Sequence, residues 1–150
     1  MLDLYQQLSI QAESLIEGED DLIANLANVS ALVFQSLDRI NWAGFYLLKH
    51  DELVLGPFQG KPACLRIAIG KGVCGTAVKT RVPQVVEDVL QFPEHIACDP
   101  DSRSEIVIPI FYHGVVMGVL DIDSQETGRF TKEDLLGLQK LVDILQQHLA

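Results

Sequence analysis

The apolar residues of this chain repeat at helical spacing near both ends and at strand spacing between them. Apolar positions three or four residues apart are typical of amphipathic helices. They occur in three stretches: Leu2, Tyr5, Leu8, Ala12, Leu15 and Ile16; Leu22, Ile23, Leu26, Leu32, Val33 and Leu37; and Leu135, Leu138, Leu141, Val142, Leu145 and Leu149. Gly18 is expected to end the first helix, and the second is expected to begin near Asp20. Thr131 is predicted to cap the last helix at its amino end.

The middle of the chain is predicted to be mainly strands. Short runs rich in apolar residues indicate the strands: residues 40–48, 53–55, 66–69, 84–86, 104–112 and 115–121. His50-Asp51-Glu52 and His113-Gly114 are expected to turn two hairpins. The glycines of residues 70–77 predict a tight turn that leads into a short helix. This order predicts one α+β domain over residues 1–150, with helices packed against a mainly antiparallel sheet.

The charge balance argues against several kinds of partner. Asp and Glu number 21 against 11 Lys and Arg, which gives a net charge of −10. Such a surface repels nucleic acids and anionic membranes, so neither is expected to bind. The amino terminus lacks the pattern of a signal peptide, and polar or glycine residues interrupt the longest apolar region, residues 106–120. A cytoplasmic location is therefore expected. An odd number of cysteines, three, argues against a structural disulfide framework there.

Cys98 is the first candidate for chemistry. It lies in a polar, proline-containing segment, residues 92–103. Asp99 and Asp101 would raise the pKa of its thiol, whereas His95 and Arg103 could offset this if they fold close to it. An inert, packed cysteine is the alternative, but the polar loop favours a reactive thiol. A zinc half-site, His95-x-x-Cys98, is disfavoured because no second compact ligand pair accompanies it.

The other two cysteines have different settings. Cys64 ends a loop rich in glycine and proline, and no Cys-x-x-Cys pair is present. Cys74 is expected at a helix amino terminus, where the helix dipole would lower the pKa of its thiol. A small residue that fills a tight turn is the plainer interpretation of Cys74, and the pattern slightly favours it.

A group of acids is predicted at one end of the long hairpin. Asp121 and Asp123 alternate along a strand, so both side chains project to one face. Glu105 begins the partner strand and could join them. Carboxyls this close repel, so one tends to keep its proton at neutral pH; the cluster could bind an ammonium group, hold a cation or act as a general acid. Solvated loop acids fit the spacing equally well. Trp42, the only tryptophan, is either core or the wall of a binding site.

Taken together, these segments resemble the free methionine-(R)-sulfoxide reductases, a family of stand-alone GAF domains. The resemblance runs from about Asn41 to Phe130 and is carried by ordered blocks: residues 41–46, 55–64, 72–75, 95–99, 104–107 and 118–124. It implies a GAF-like α+β fold. Small departures occur: Glu94 replaces an expected glycine, Leu90 a common histidine and Gln125 a common proline.

The resemblance also implies roles for the cysteines. Cys98 matches the catalytic cysteine, whose thiolate attacks the sulfoxide sulfur and becomes a sulfenic acid. Cys64 matches the resolving cysteine that forms a disulfide with it, and Cys74 matches an auxiliary cysteine. Thioredoxin would then reduce the disulfide. Whether Cys64 or Cys74 is the main resolving thiol stays open from the sequence.

Binding roles follow from the same resemblance. Glu105, Asp121 and Asp123 match the acids of the substrate pocket, and Trp42 matches an aromatic wall near the substrate methyl group. No cofactor or metal is implied, and a homodimer is a family-based expectation. The alternative is a GAF module that senses a small ligand without turnover. Three cysteines beside an acid cluster have no evident purpose in such a binder, so the enzyme is favoured.

Overall fold

The protein folds as one layer of helices on an antiparallel sheet, with a further helix on the opposite face. The computed structural model describes residues 3–96 and 98–149. Its helices are α1 (Leu4–Ile16), α2 (Leu22–Ser36), α3 (Gly72–Thr80) and α4 (Lys132–Gln147). Its strands are β1 (Trp42–Lys49), β2 (Glu52–Gly60), β3 (Arg66–Ala68), β4 (Gln84–Val86), β5 (Ser104–Tyr112) and β6 (Val115–Ser124). No helix within these described ranges is long and apolar enough to cross a membrane.

The six strands form one sheet in the order β3-β2-β1-β6-β5-β4, and every neighbouring pair is antiparallel. The two long hairpins, β1–β2 and β5–β6, meet along β1 and β6 at the centre of the sheet. This confirms the α+β class with a mainly antiparallel sheet.

Successive side chains of the central strands point to opposite faces of the sheet, and each face has its own core. On β1, Phe45 packs in the larger core with residues of α1, α2 and α4, whereas Trp42 and Tyr46 point to the other face. On β6, Ile122 joins the helical core, and Asp121 lies on the opposite face with its neighbours at two-residue spacing. The second face is covered by α3 and by loops, and it carries the candidate site.

Local signals in the sequence account for the ends of these elements. Asp3 and Thr131 form capping boxes with the residues three positions later, and the Asp21 side chain accepts a hydrogen bond from the Ala24 amide. His50 and Asp51 have φ values of 51° and 66°, and His113 and Gly114 of 51° and 79°. Left-handed backbone at both central residues is the type I′ geometry that favours two-residue hairpins.

Several boundaries differ from the sequence-based expectation, and three of them concern the bulge, the site and the core. β2 continues to Gly60 because Gly56 and Pro57 together face the single residue Phe45, which makes a bulge that accommodates a proline without an amide hydrogen. β6 continues to Ser124, so Asp123 is a strand residue. α4 ends at Gln147, and Leu149 packs on the core beyond the helix. Leu2 lies outside the described residues.

Candidate active site

A small cavity of about 40 Å³ lies on the sheet face opposite the three long helices. Its walls come from β1, β3, β5, β6, α3 and two loops, here named the Cys64 loop (residues 61–65) and the Cys98 loop (residues 92–96 and 98–103). Six of the seven predicted site residues line it: Trp42, Cys74, Cys98, Glu105, Asp121 and Asp123. The seventh, Cys64, is bonded to Cys98. The structure therefore places all seven predicted residues at one place.

The acids are brought together by the register of the β5–β6 hairpin. Glu105 is the direct cross-strand partner of Asp123, and Asp121 lies two residues before Asp123 on the same face. The Sγ atom of Cys74 lies 3.9 Å from Oε2 of Glu105. Donor atoms of Cys74, Glu105 and Asp121 all lie within 4.8 Å of one another. This confirms the predicted acid cluster, and its spacing would suit an ammonium group or a metal ion.

Burial makes these carboxyls weaker acids than exposed carboxyls. It raises the pKa of Asp121 above its usual range, and it raises the pKa values of Glu105 and Asp123 well above theirs, an effect that the charge of Asp121 adds to. Asp121 is only 5% exposed, and its Oδ1 atom has no hydrogen-bond partner among the described residues. Within the described ranges, no basic side chain pairs with any of the three. The cluster can therefore keep a proton near neutral pH and also receive a cationic group.

Cys74 is placed differently from the prediction of a lowered thiol pKa. It does lie in the first turn of α3, but it is 3% exposed and belongs to the smaller apolar core. Burial, followed by the charges of Asp121 and Glu105, raises the pKa of the thiol well above its ordinary value. The prediction was wrong because desolvation beside two carboxyls outweighs a helix-dipole effect of about 1 kcal/mol. A packed thiol at the cavity floor is what the structure shows.

Cys64 and Cys98 form a disulfide with a Cα–Cα separation of 5.2 Å. It joins the Cys64 loop to the Cys98 loop across the top of the cavity. While it is in the disulfide, the Cys98 sulfur offers no thiolate to a His95-x-x-Cys98 zinc half-site. Burial lowers the pKa of His95, so its ring is neutral near pH 7.

Side chains that the sequence analysis did not select hold the Cys98 loop in place. The Asn41 amide donates hydrogen bonds to Oδ2 of Asp99 (3.0 Å) and to Oγ of Ser102 (3.1 Å). The Asp101 amide donates to Oδ1 of Asp99 at 2.9 Å. Asp99 therefore serves as a hydrogen-bond acceptor that both shapes its own loop and connects it to Asn41. No local spacing in the sequence signals this contact, because Asn41 and Asp99 are 58 positions apart.

Tyr46 is a second cavity residue that the sequence analysis did not select, although the sequence contained a signal for it. It lines the cavity beside Trp42, four positions earlier on the same strand. Residues i and i+4 of a strand share a face, so the assignment of Trp42 as a wall also pointed to Tyr46.

Glu94, where the family resemblance led us to expect glycine, has a left-handed backbone. Its φ is 58°, a conformation that costs a residue with a side chain about 1 kcal/mol or more. Its carboxylate pairs with Nζ of Lys71 at 3.0 Å on the surface. The left-handed backbone thus explains the preference for glycine at this position. Here Glu94 adopts that backbone conformation without a glycine.

The fold and the sequence also resemble those of known proteins. A family model described as GAF domain matches residues 24–150. The free methionine-R-sulfoxide reductase of Escherichia coli K12 is 54% identical over 148 residues, which cover 99% of this chain and 90% of the relative. The reduced form of fRMsr from Staphylococcus aureus superposes with a TM-score of 0.95 at 57% identity, covering 97% of this chain and 95% of that one. The free methionine-R-sulfoxide reductase of Neisseria meningitidis in complex with its substrate gives 0.94 at 46% identity, with coverages of 97% and 87%. This chain belongs to the GAF domain family and, within it, to the free methionine-R-sulfoxide reductases.

Proposed function

We propose that this protein reduces free methionine-R-sulfoxide to methionine, with Cys98 as the attacking thiolate. The observation that carries the proposal is one cavity that combines Cys98 with Glu105, Asp121 and Asp123. Relatives at 54% and 42% identity carry the name of this activity and support the assignment.

The reaction needs two electrons, and two cysteines supply them. The Cys98 thiolate attacks the sulfoxide sulfur, the sulfoxide oxygen is transferred to sulfur of Cys98, and methionine leaves. Cys98 is then a sulfenic acid. Cys64 attacks that sulfur, the S–S bond forms, the S–O bond breaks, and the oxygen departs as water. The Cys64–Cys98 disulfide supports Cys64, rather than Cys74, as the resolving thiol.

The acid cluster can act on two groups of this substrate, the sulfoxide oxygen and the ammonium group. A sulfoxide oxygen must gain protons as its bond to sulfur breaks, and a carboxyl that stays protonated near pH 7 can donate one. An ionised carboxylate of the same cluster can hold the ammonium group of a free amino acid. A methionine sulfoxide within a peptide lacks that ammonium group. Selectivity for the free form follows from the cluster.

Trp42 is proposed as the wall against which the substrate methyl group lies. Its indole is 3% exposed and stacks on Phe58, with ring centroids 5.1 Å apart. A fixed aromatic face of this kind makes favourable contacts with methyl and thioether groups.

Thioredoxin is proposed as the reductant that returns the disulfide to two thiols, in a cytoplasm that keeps thiols reduced. The mechanism requires no cofactor and no metal. A homodimer is proposed on the family resemblance alone.

The experiment is a thioredoxin-coupled assay with three substrates in parallel: the free R epimer, the free S epimer and an R sulfoxide blocked at its amino and carboxyl groups. Turnover confined to the free R epimer is expected, and Cys98→Ser should abolish it. If none is turned over by folded, reduced protein, or if Cys98→Ser stays active, the catalytic proposal fails and a ligand-sensing GAF module replaces it.

A further inference from the structure

The Cys64 loop is held at both ends by aromatic side chains of β1. Nε1 of Trp42 donates a hydrogen bond to the carbonyl of Lys61 at 3.1 Å, and the Tyr46 hydroxyl donates to the carbonyl of Cys64 at 2.9 Å. Both aromatic residues are almost fully buried, at 3% and 1% exposed. The backbone of the loop is thus fixed by side chains that also line the cavity.

Packing keeps these two donors in place. Gly44 lies between Trp42 and Tyr46 on the same face of β1, and a Cβ atom there would lie 2.3 Å from Cβ of Phe58. The bare backbone lets the Phe58 ring stack beside the indole. The Tyr46 hydroxyl therefore has little freedom, and burial followed by the charge of Asp121 raises its pKa, so it remains a donor throughout the physiological range.

We propose that Tyr46 is a positioning residue for Cys64, setting the rate of disulfide formation rather than the rate of sulfoxide reduction. The proposal rests on the function proposed above. In the step concerned, the Cys64 thiolate attacks Sγ of the Cys98 sulfenic acid; the S–S bond forms, the S–O bond breaks, and the oxygen leaves as water with a proton. The Cys64 sulfur is oxidised and the Cys98 sulfur is reduced.

The hydrogen bond from the Tyr46 hydroxyl lies where it can control the attack of Cys64 on Cys98. It is made to the carbonyl of Cys64 itself, while the second anchor, from Trp42, is three residues earlier. Loss of the Tyr46 bond removes the anchor at Cys64 itself, while the Leu55 amide still donates to the Leu65 carbonyl at 3.0 Å and Trp42 still holds the other end of the loop. Attack then requires the sulfur to be brought back into line, which lowers the population of reactive geometries.

Tyr46→Phe is the test, because it removes only the hydroxyl. Reduced protein is mixed with one equivalent of methionine sulfoxide, without thioredoxin, and quenched at intervals. Methionine is measured by chromatography, sulfenic acid by trapping with a cyclic diketone, and disulfide by mass spectrometry. We expect the rate of disulfide formation to fall about two- to tenfold relative to the rate of methionine formation in the same variant, the effect of one lost hydrogen bond. Trapped sulfenic acid should accumulate.

Two controls define the interpretation. Tyr112→Phe makes the same change at the far end of β5 and should leave both phases unaltered. In a Cys64→Ser background, Tyr46→Phe should change the rate of methionine formation by the same factor as it does with Cys64 present. Equal slowing of methionine and disulfide formation would show that Tyr46 acts on substrate, and an unchanged rate of disulfide formation would show that its hydrogen bond positions nothing; either result overturns the proposal.

A third arm separates this proposal from the proposed function. One equivalent of hydrogen peroxide in place of the sulfoxide also converts the Cys98 thiolate to a sulfenic acid. If the wild-type protein makes no methionine, the reductase assignment fails, yet the peroxide arm still measures resolution by Cys64. A slower disulfide in Tyr46→Phe then supports the positioning role, and an equal rate refutes it. Near-ultraviolet circular dichroism checks that the variant is folded.

Discussion

Glu105 and Asp123 lie directly opposite each other on β5 and β6, so two acids of the candidate site are a cross-strand pair. Acidic side chains in this relation repel each other when both are ionised. Here they are also beside Asp121, which is buried. When the cluster loses its protons, repulsion between these carboxylates therefore destabilises the hairpin.

The first prediction concerns stability and pH. The folded-state pKa values of Glu105, Asp121 and Asp123 are raised, so the stabilising protonated forms are fully present below the ordinary carboxyl range and are lost as pH rises through the raised values. The free energy of unfolding should fall over that window by up to about 1.4 kcal/mol per pH unit for each extra proton retained on folding. Urea unfolding between about pH 4 and pH 9 measures it.

Asp121→Asn should flatten this fall because an amide does not ionise. Asp101→Asn is the matched control, since Asp101 is exposed on the surface, where it pairs with Lys61. A slope that is the same in wild type and Asp121→Asn would contradict the prediction.

The second prediction distinguishes the two remaining cysteines. Cys64→Ser should make methionine once and then stop, because no disulfide forms for thioredoxin to reduce. Cys74→Ser should keep repeated turnover, since its thiol is buried and is not in the disulfide. Methionine formed per protein molecule is counted with and without thioredoxin. Repeated turnover by Cys64→Ser together with a single turnover by Cys74→Ser would reverse the assignment.

The third prediction is that oxidation stabilises the protein. The Cys64–Cys98 disulfide spans 34 positions, and a cross-link of that length is worth about 4 kcal/mol through the entropy of the unfolded chain. The oxidised form should unfold at higher urea than the reduced form. Cys64→Ser should abolish the difference and Cys74→Ser should keep it. Equal unfolding midpoints for oxidised and reduced wild type would sink the idea.

The fourth prediction concerns Gly44. Gly44→Ala forces Phe58 away from β1 and should cost about 1–3 kcal/mol of stability, as overpacking does, with a loss of turnover because Trp42 loses its support. Gly114→Ala is the control: its φ is 79°, and apart from Gly114 and its two chain neighbours no heavy atom of the described residues lies within 4 Å of the added carbon. It should lose about 1–2 kcal/mol to backbone strain and keep its turnover. Normal turnover in Gly44→Ala would contradict this account.

Much of the fold was predictable because it depends on local pattern. The Thr131 cap, the two type I′ turns and the shared face of Asp121 and Asp123 all follow from residues within a few positions of one another. The pairing of Glu105 with Asp123 does not follow from the hairpin turn alone, because a one-residue register shift between Ile110 and Phe111 lies between the turn and this pair.

What escaped prediction depends on contacts between distant segments. The bond from Asn41 to Asp99 joins the residue before β1 to the Cys98 loop, and the bond from Tyr46 to Cys64 joins β1 to the loop that follows β2. The environment of Cys74 was misjudged for the same reason: the helix dipole is local, whereas the acids that surround the thiol arrive from β5 and β6.

The alternation of β6 has a consequence for how such a protein can change over evolution. Ile122 packs under the helices while Asp121 and Asp123 face the cavity. Insertion or deletion of a single residue near Ile122, where no bulge absorbs it, would exchange the two faces, placing acids in the helical core and an isoleucine among the cavity side chains. A change of length is better tolerated at a bulge, such as the register shift opposite Ile110 and Phe111, so this end of β6 is expected to vary by substitution.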